Sequence, residues 1–482
     1  MELQKIIKNL EFKGIKNYKN LDIQSLTNIS EEKTVNGLYF CIKGSKVDGH
    51  TFASEAIENG AICLVVEKFI DLPITQILVD SSRKAMSQMS ANFYEFENSK
   101  IKFIGITGTN GKTTTTFIVK QLLENLGHKV GLIGTEGVYM GNFHLPCNLT
   151  TPDPIILHKI IHDMDKNGVE YIVMEVSAHA IALNKIDSIM YDVVGITNIS
   201  QDHLDYFATM DNYASVKSNL FTYKHAKKAV INVDNQYTKN IAKKTKLPYK
   251  TVAIFGDADI SVQEQMFNFE QTKAVIYFGE QEYMLTSNLI GEYNLFNSLM
   301  AIGLCESLGF DVPSIIKAHN SSQFIILGRL NTVKVPAKFN VVVDFAHTPD
   351  GLKQVLSTLN KIKKGRLIAV FGCGGNRDTG KRSKMGEIAS KLADFVVVTS
   401  DNPRFENPEQ IICDINKGVN KNKSTSIVNR KDAINYALSI ASTNDIVVIL
   451  GKGNERSQEI NGIKYPYNDY QVVKEFFNLT ND

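Results

Sequence analysis

The chain has 482 residues, 53 of them Lys or Arg and 51 Asp or Glu, so its formal charge is only +2 and it lacks the polybasic surface that nucleic acid or an anionic membrane would need. A composition of 43% hydrophobic and 22% charged residues with 11 prolines excludes the disordered, collagenous and membrane-spanning classes. At roughly 150 residues per domain, three domains with small-molecule partners are expected. The six cysteines, Cys41, Cys63, Cys147, Cys305, Cys373 and Cys413, form no Cys-x-x-Cys pair. They suggest neither zinc nor disulfides, and a cytoplasmic protein is expected. The charged start, Met1-Glu-Leu-Gln-Lys-Ile-Ile-Lys, does not read as a signal peptide, and no uncharged apolar stretch is long enough to span a membrane.

In chain order, residues 1–99 are set apart by domain size alone as a smaller α/β unit. From Lys100 onward, short β-branched runs alternate with amphipathic helical stretches, the pattern of a parallel sheet covered by helices. Strands are expected at Ile101–Thr107, Lys129–Ile133, Tyr171–Val176, Asp192–Asn198 and Ala229–Val233. Residues 256–290 read as a strand-rich insert, and Gly291–Leu308 as a long helix closing a domain that spans 100–325. A second series, Asn340–Asp344, Arg366–Phe371, Asp394–Thr399 and Asp445–Leu450, alternates with helices such as Gly351–Lys364 and Lys384–Ala393 and predicts a separate sheet within 326–482.

The strongest local signal is Gly105-Ile-Thr-Gly108-Thr109-Asn110-Gly111-Lys112-Thr113-Thr114, which follows a predicted strand and opens a predicted helix. This is the context of a P-loop, whose backbone N–H groups and helix dipole hold phosphate while the lysine adds a cation and the threonine reaches Mg²⁺. Ile106 stands where the strict motif has its first glycine; a glycine turn that needs no nucleotide is the plainer alternative to the P-loop. Val173-Met-Glu175-Val-Ser177 and Asn198-Ile-Ser-Gln-Asp202-His203-Leu-Asp205 place carboxylates and an imidazole at two strand ends, where ligands of open α/β sheets collect. Alone, each suits a helix cap or a structural histidine; beside a P-loop they suit the shell of a nucleotide-bound Mg²⁺.

These motifs, followed by Asp344-Phe-Ala-His347-Thr-Pro-Asp350 and Phe371-Gly-Cys-Gly-Gly-Asn-Arg377-Asp, resemble in content and order the Mur ligases, ATP-dependent enzymes of peptidoglycan-precursor synthesis. Asp401-Asn402-Pro403-Arg404 and Gly451-Lys-Gly-Asn-Glu455 narrow the resemblance to the MurE branch, which adds the third amino acid to UDP-N-acetylmuramoyl-L-alanyl-D-glutamate. The resemblance implies an α/β fold of three domains: a small UDP-sugar-binding domain, a central P-loop parallel-sheet domain, and a C-terminal Rossmann-like domain that brings the amino acid. It implies that Ser30, Ser45, Lys46 and Val47 meet the UDP-sugar, and that Thr150, Thr151, Ser177 and Lys185 hold the muramoyl dipeptide. Gly108, Thr109, Asn110, Gly111, Lys112, Thr113 and Thr114, with Asn294 and Arg329, would bind ATP. Thr113, Glu175, His203 and an N-carboxylated Lys217 would attend Mg²⁺. Lys112, Glu175, His203 and Lys217 would form the catalytic set. Arg377, Asp401, Asn402, Pro403, Arg404, Gly451 and Glu455 would receive meso-diaminopimelate, whose extra carboxylate suits the planar fork of Arg404.

The implied reaction phosphorylates the D-glutamyl carboxylate, and the incoming amine then attacks the acyl phosphate; a monomer without membrane or nucleic-acid partners is expected. There are departures. Leu183 stands where relatives have glutamine, Lys185 replaces an arginine, Leu327 replaces a proline, Asn376 an aspartate and Asn454 a histidine. A lysine-adding member, a diverged paralogue, another Mur enzyme, a folylpolyglutamate synthetase and a nucleotide-binding subunit without ligase activity are the alternatives.

Overall fold

The computed structural model describes residues 1–44, 47–147 and 149–479, so Ser45 and Lys46 of the expected UDP-sugar turn lie outside the described residues. Three main sheets organise the chain. In the first, Ser25–Thr27, Gly37–Phe40, Ala61–Val66 and Thr75–Leu78 run parallel, and Gly14–Lys16 joins one edge antiparallel. Alternation sorts its side chains. Leu38, Phe40, Cys63 and Val65 pack with Ala85, Met86 and Met89 of the helix Ser82–Phe93, whereas Tyr39, Cys41, Leu64 and Val66 pack with Ala53 and Ala56 on the other face.

The central sheet has 11 strands. Its parallel core runs, in spatial order, through Tyr249–Ala253, Ala229–Asn232, Val193–Ile196, Lys102–Thr107, Tyr171–Glu175 and Val130–Gly134. Both faces are covered, which is why these strands read as nearly continuous apolar runs. Ile104 and Ile106 pack with Ile118, Val119 and Leu122 of the helix Lys112–Asn125, and Phe103 packs in the opposite layer with Ile172 and Met174. After Lys102–Thr107 the chain moves to one side for Val130–Gly134 and Tyr171–Glu175, then to the other for Val193–Ile196. Lys102–Thr107 therefore ends at a topological switch point, where a crevice opens beyond the carboxyl ends of the strands.

The third sheet is parallel through Asn340–Asp344, Ile446–Leu450, Leu367–Phe371, Phe395–Val398 and Ser424–Ser426, with Asn331–Val333 antiparallel at one edge. The strand-rich insert is an antiparallel meander, Ile260–Phe267, Thr272–Phe278 and Gln281–Ser287, and the long helix runs over Glu292–Ser307. Three features carried no apolar run to announce them: the strand Tyr249–Ala253, the hairpin Gly137–Met140 with Phe143–Leu145, and the hairpin Ser457–Ile460 with Ile463–Pro466. All are wholly or partly exposed. No helix among the described residues is long and apolar enough to cross a membrane.

Candidate active site

The loop after Lys102–Thr107 is shaped by its glycines. Gly108 has φ +145° and Gly111 φ +84°. A Cβ at Gly108 would lie 1.9 Å from Thr197 Oγ1, and one at Gly111 2.5 Å from Asn297 Oδ1, so the turn demands glycine sterically as well as conformationally. Lys112 begins the helix and folds back, its Nζ donating to the carbonyls of Gly108 at 3.0 Å and Thr109 at 2.8 Å. Desolvation lowers its pKa, against the pull of Glu175 and Asp202.

Glu175 ends its strand fully buried. Its Oε1 accepts from Thr113 Oγ1 at 3.0 Å and from the Thr135 N–H at 2.9 Å, and its Oε2 accepts from Thr135 Oγ1 at 3.1 Å. Thr113 Oγ1 in turn accepts from Arg329 Nη2 at 3.2 Å, which ties the P-loop to the start of the C-terminal domain. The Arg329 guanidinium also lies 4.5 Å from the centre of the Phe345 ring. His203 has φ +54°, and its Nε2 lies 3.4 Å from Asp202 Oδ2; burial pushes the imidazole down to about 4, so it is neutral at pH 7 with a lone pair to offer. Lys217 is 1% exposed, donating to Gly108 O at 2.9 Å and Thr107 Oγ1 at 3.2 Å, and makes no ion pair with a described residue. Burial, and then the charge of Lys112, take its pKa well below the ordinary lysine value.

A cavity of ≈ 740 Å³ runs from this loop to the C-terminal sheet. At its far end Gly451, φ +112°, lets Asp401 approach: a Cβ there would meet Asp401 Oδ2 at 2.7 Å. Glu455 Oε2 accepts from Asn402 Nδ2 at 2.9 Å and from Lys452 Nζ at 2.6 Å, so its carboxylate is held in place before any ligand arrives. Arg404, φ +52°, donates from Nη1 to Gly375 O at 2.8 Å, and its Nε lies 3.2 Å from Glu459 Oε2. Two further bonds join the central and C-terminal domains: Asn110 Nδ2 to Asp350 Oδ2 at 3.2 Å, and Asn454 Nδ2 to Glu136 Oε2 at 2.9 Å.

Among the residues expected from sequence, Thr109, Asn110, Gly111, Lys112, Thr113, Thr114, Thr150, Glu175, His203, Arg329, Arg377, Asp401, Asn402, Arg404, Gly451 and Glu455 line this cavity. Others do not. Asn294 is turned into its helix, with Nδ2 donating to Ile290 O at 2.9 Å, and Asn297, one turn on, faces the wall instead. Lys185 is paired with Asp153 at 2.9 Å. Ser177 caps a helix by accepting from the Ala180 N–H at 3.1 Å, and Thr151 donates to Glu175 O at 2.8 Å. Gly108, Lys217 and Pro403 stand behind the wall, while Ser30 and Val47 belong to the first domain, away from the cavity. Sequence reasoning missed Thr135 and Lys381, which no motif marked, and Asn297, which the spacing within Gly291-Glu-Tyr-Asn294-Leu-Phe-Asn297 could have supplied.

The hard oxygens of Thr113 and Glu175 suit Mg²⁺, and the imidazole of His203 lines the same cavity. No group of three or more His, Cys, Asp or Glu among the described residues could hold a metal ion.

Comparison with known proteins bears on the whole chain. Residues 30–99 match the Mur ligase family catalytic domain, residues 106–305 the Mur ligase middle domain, and residues 328–453 the Mur ligase glutamate ligase domain. UDP-N-acetylmuramoyl-L-alanyl-D-glutamate--2,6-diaminopimelate ligase 1 of Clostridium acetobutylicum is 40% identical over 483 residues, covering 99% of each chain. A solved structure of a UDP-N-acetylmuramoyl-L-alanyl-D-glutamate--2,6-diaminopimelate ligase superposes with a TM-score of 0.71 at 28% identity over 99% of both chains. The MurF ligase of Thermotoga maritima in complex with ADP shares the fold, with a TM-score of 0.65 at 19% identity over 95% of this chain and 98% of that one. On its three domain matches and its full-length relatives, the chain belongs to the Mur ligase family.

Proposed function

We propose that this chain is an ATP-dependent ligase that joins meso-diaminopimelate to the D-glutamyl carboxylate of UDP-N-acetylmuramoyl-L-alanyl-D-glutamate through an acyl phosphate. One observation carries the reading: a single cavity has the P-loop at one end and the Asp401–Arg404–Glu455 cluster at the other. The names of the full-length relatives support the substrate pair.

The chemistry follows from what each end can hold. A carboxylate cannot be displaced by an amine at neutral pH because its oxygen is too poor a leaving group, so ATP first transfers its γ-phosphoryl group to it and ADP departs. The Lys112 ammonium and the N-terminus of Lys112–Asn125 would draw off the charge that develops on the transferring group. Arg329, reaching Thr113 from the C-terminal domain, would add a second cation only when the domains are closed. Thr113, Glu175 and His203 would hold Mg²⁺, which when bound neutralises the phosphate oxygens. Lys217 would join that set as a carbamate. Its depressed pKa supplies the free amine that reacts with carbon dioxide, and the product trades a donor for an acceptor. At the other end, Arg404 would grip the distal carboxylate of diaminopimelate and Glu455 its distal ammonium, leaving the second amine to attack the acyl carbon. The reading is completed by a monomer working in the cytoplasm, where ATP is supplied.

The test is phosphate release with ATP, UDP-N-acetylmuramoyl-L-alanyl-D-glutamate and a panel of amino acids. Release that depends on meso-diaminopimelate is expected. Preference for lysine, or no amine-dependent release, refutes the assignment.

A further inference from the structure

Lys381 closes a short turn, Thr379–Lys381, that leads into the helix Arg382–Leu392. Asp378 anchors the turn: its Oδ1 accepts from the Gly380 N–H at 2.8 Å, and its Oδ2 accepts from Gln201 Nε2, across the domain boundary, at 3.0 Å. Gln201 Oε1 accepts from Lys384 Nζ at 2.8 Å. One amide therefore pins the turn against the loop that carries Asp202 and His203.

Lys381 is 6% exposed and lines the cavity. Its neighbour Arg382 is also buried, but that guanidinium is shared between Glu406 at 2.8 Å and Asp414 at 3.1 Å. Lys381 makes no hydrogen bond and no ion pair with any described residue. Its charge is felt by the Asp202 carboxylate and by the imidazole of His347, both of which line the cavity. An ammonium that faces a cavity and makes no hydrogen bond or ion pair with a described residue keeps its donors for a ligand, and an anion suits it. The position narrows which anion. Gln201 holds the turn of Lys381 against the loop of Asp202 and His203, and Arg377, expected in the amino-acid pocket, stands just before that turn and lines the same cavity. That is where the phosphoryl group would lie after it has left ATP and before the amine displaces it.

Resting on the ligase reading above, we propose that Lys381 is a catalytic residue whose ammonium contacts the phosphoryl oxygens of the acyl phosphate and holds the phosphate as it departs. In that step the amine nitrogen bonds to the acyl carbon, and the carbon–oxygen bond to the phosphoryl group breaks with its electron pair on the phosphate. The amine's surplus proton leaves with it as hydrogen phosphate. The cation thus meets charge that grows along the reaction, which lowers the barrier rather than merely tightening binding.

Lys381→Met and Lys381→Arg test this through turnover, inorganic phosphate binding to the enzyme–ADP complex, and melting temperature. For Lys381→Met, kcat should fall about 10²- to 10³-fold while KM for ATP and for diaminopimelate stays within about threefold, as expected when a transition-state contact is lost. Phosphate should bind at least about tenfold more weakly. The melting temperature should hold, because the ammonium makes no hydrogen bond or ion pair with a described residue that the substitution would break. Lys381→Arg, which keeps the cation, should recover the phosphate affinity and part of the turnover.

A kcat within about threefold of the unsubstituted enzyme, or an unchanged phosphate affinity, overturns the proposal. A raised KM for diaminopimelate at constant kcat also overturns it, because the anion held would then be the amino acid's carboxylate. So does a lower melting temperature without rescue by arginine, which would mark a structural role. If the unsubstituted enzyme releases no phosphate with any amino acid, the ligase reading fails, and the phosphate titration still decides on Lys381 by itself.

Discussion

Replacing Arg404 by alanine tests how the amino acid is selected. The structure already spends part of this guanidinium: Nη1 donates to Gly375 O at 2.8 Å, and Nε lies 3.2 Å from Glu459 Oε2. These contacts fix the plane of the fork and leave the Nη2 edge for an incoming carboxylate. One charge-assisted hydrogen bond contributes about 1.5–3 kcal/mol, and about 1.4 kcal/mol is tenfold. Arg404→Ala should therefore lower kcat/KM for meso-diaminopimelate by roughly 10- to 150-fold. Any activity with lysine should change far less, since lysine has no distal carboxylate to lose. Arg404→Lys should fall between, because an ammonium keeps the charge without the planar fork. The assay is coupled phosphate release at varied amino acid with ATP and UDP-dipeptide saturating, and a melting curve for each variant separates lost anchoring at Gly375 from lost recognition. Equal losses for diaminopimelate and lysine at unchanged melting temperature would refute the reasoning and assign Arg404 to the shared α-carboxylate or to the loop.

Three further outcomes are expected. Lys112→Ala should keep its circular dichroism spectrum and lose at least about 10²-fold in turnover; activity within about twofold would place the phosphoryl site elsewhere. In ¹³C-bicarbonate the unsubstituted protein should show a carbamate carbon by NMR, and Lys217→Ala should be inactive, unrescued by bicarbonate but partly restored by a short-chain carboxylic acid; a fully active protein without the carbamate signal sinks this role. His158 is buried, accepting or donating at 2.7 Å to Ser188 Oγ, and burial takes its pKa from 6.5 to about 3. Between those values the unfolded chain binds the extra proton, so the stability His158 contributes is complete above pH 6.5 and is lost as pH falls towards 3, by about 2 kcal/mol at pH 5. Urea denaturation from pH 7 to 5 should show that slope reduced in His158→Gln, and parallel slopes would exclude the histidine as its source.

The P-loop and the strands that carry it were legible because local chemistry dictates them. The apolar runs of the parallel core are buried on both faces, and Gly108 and Gly111 adopt conformations that exclude side chains, so sequence pattern and structure have one cause. Glu175 and His203 were legible for a related reason, since strand ends at a switch point are where ligands gather. Exposed elements, the hairpin Ser457–Ile460 with Ile463–Pro466 above all, left no such trace because no core selects their residues.

What a side chain does with its polar atoms was decided only by tertiary structure. Asn294 and Asn297 lie one helical turn apart in the same motif, yet one caps its own backbone and the other faces the cavity. Lys381 and Arg382 are consecutive buried cations, and only the fold gives the arginine two carboxylates and leaves the lysine facing the cavity without one. Local pattern determines where the backbone goes; the pairing of charges depends on residues brought together from 24 and 32 positions away, as Glu406 and Asp414 are to Arg382, so it is settled only when the helices and loops have packed on one another.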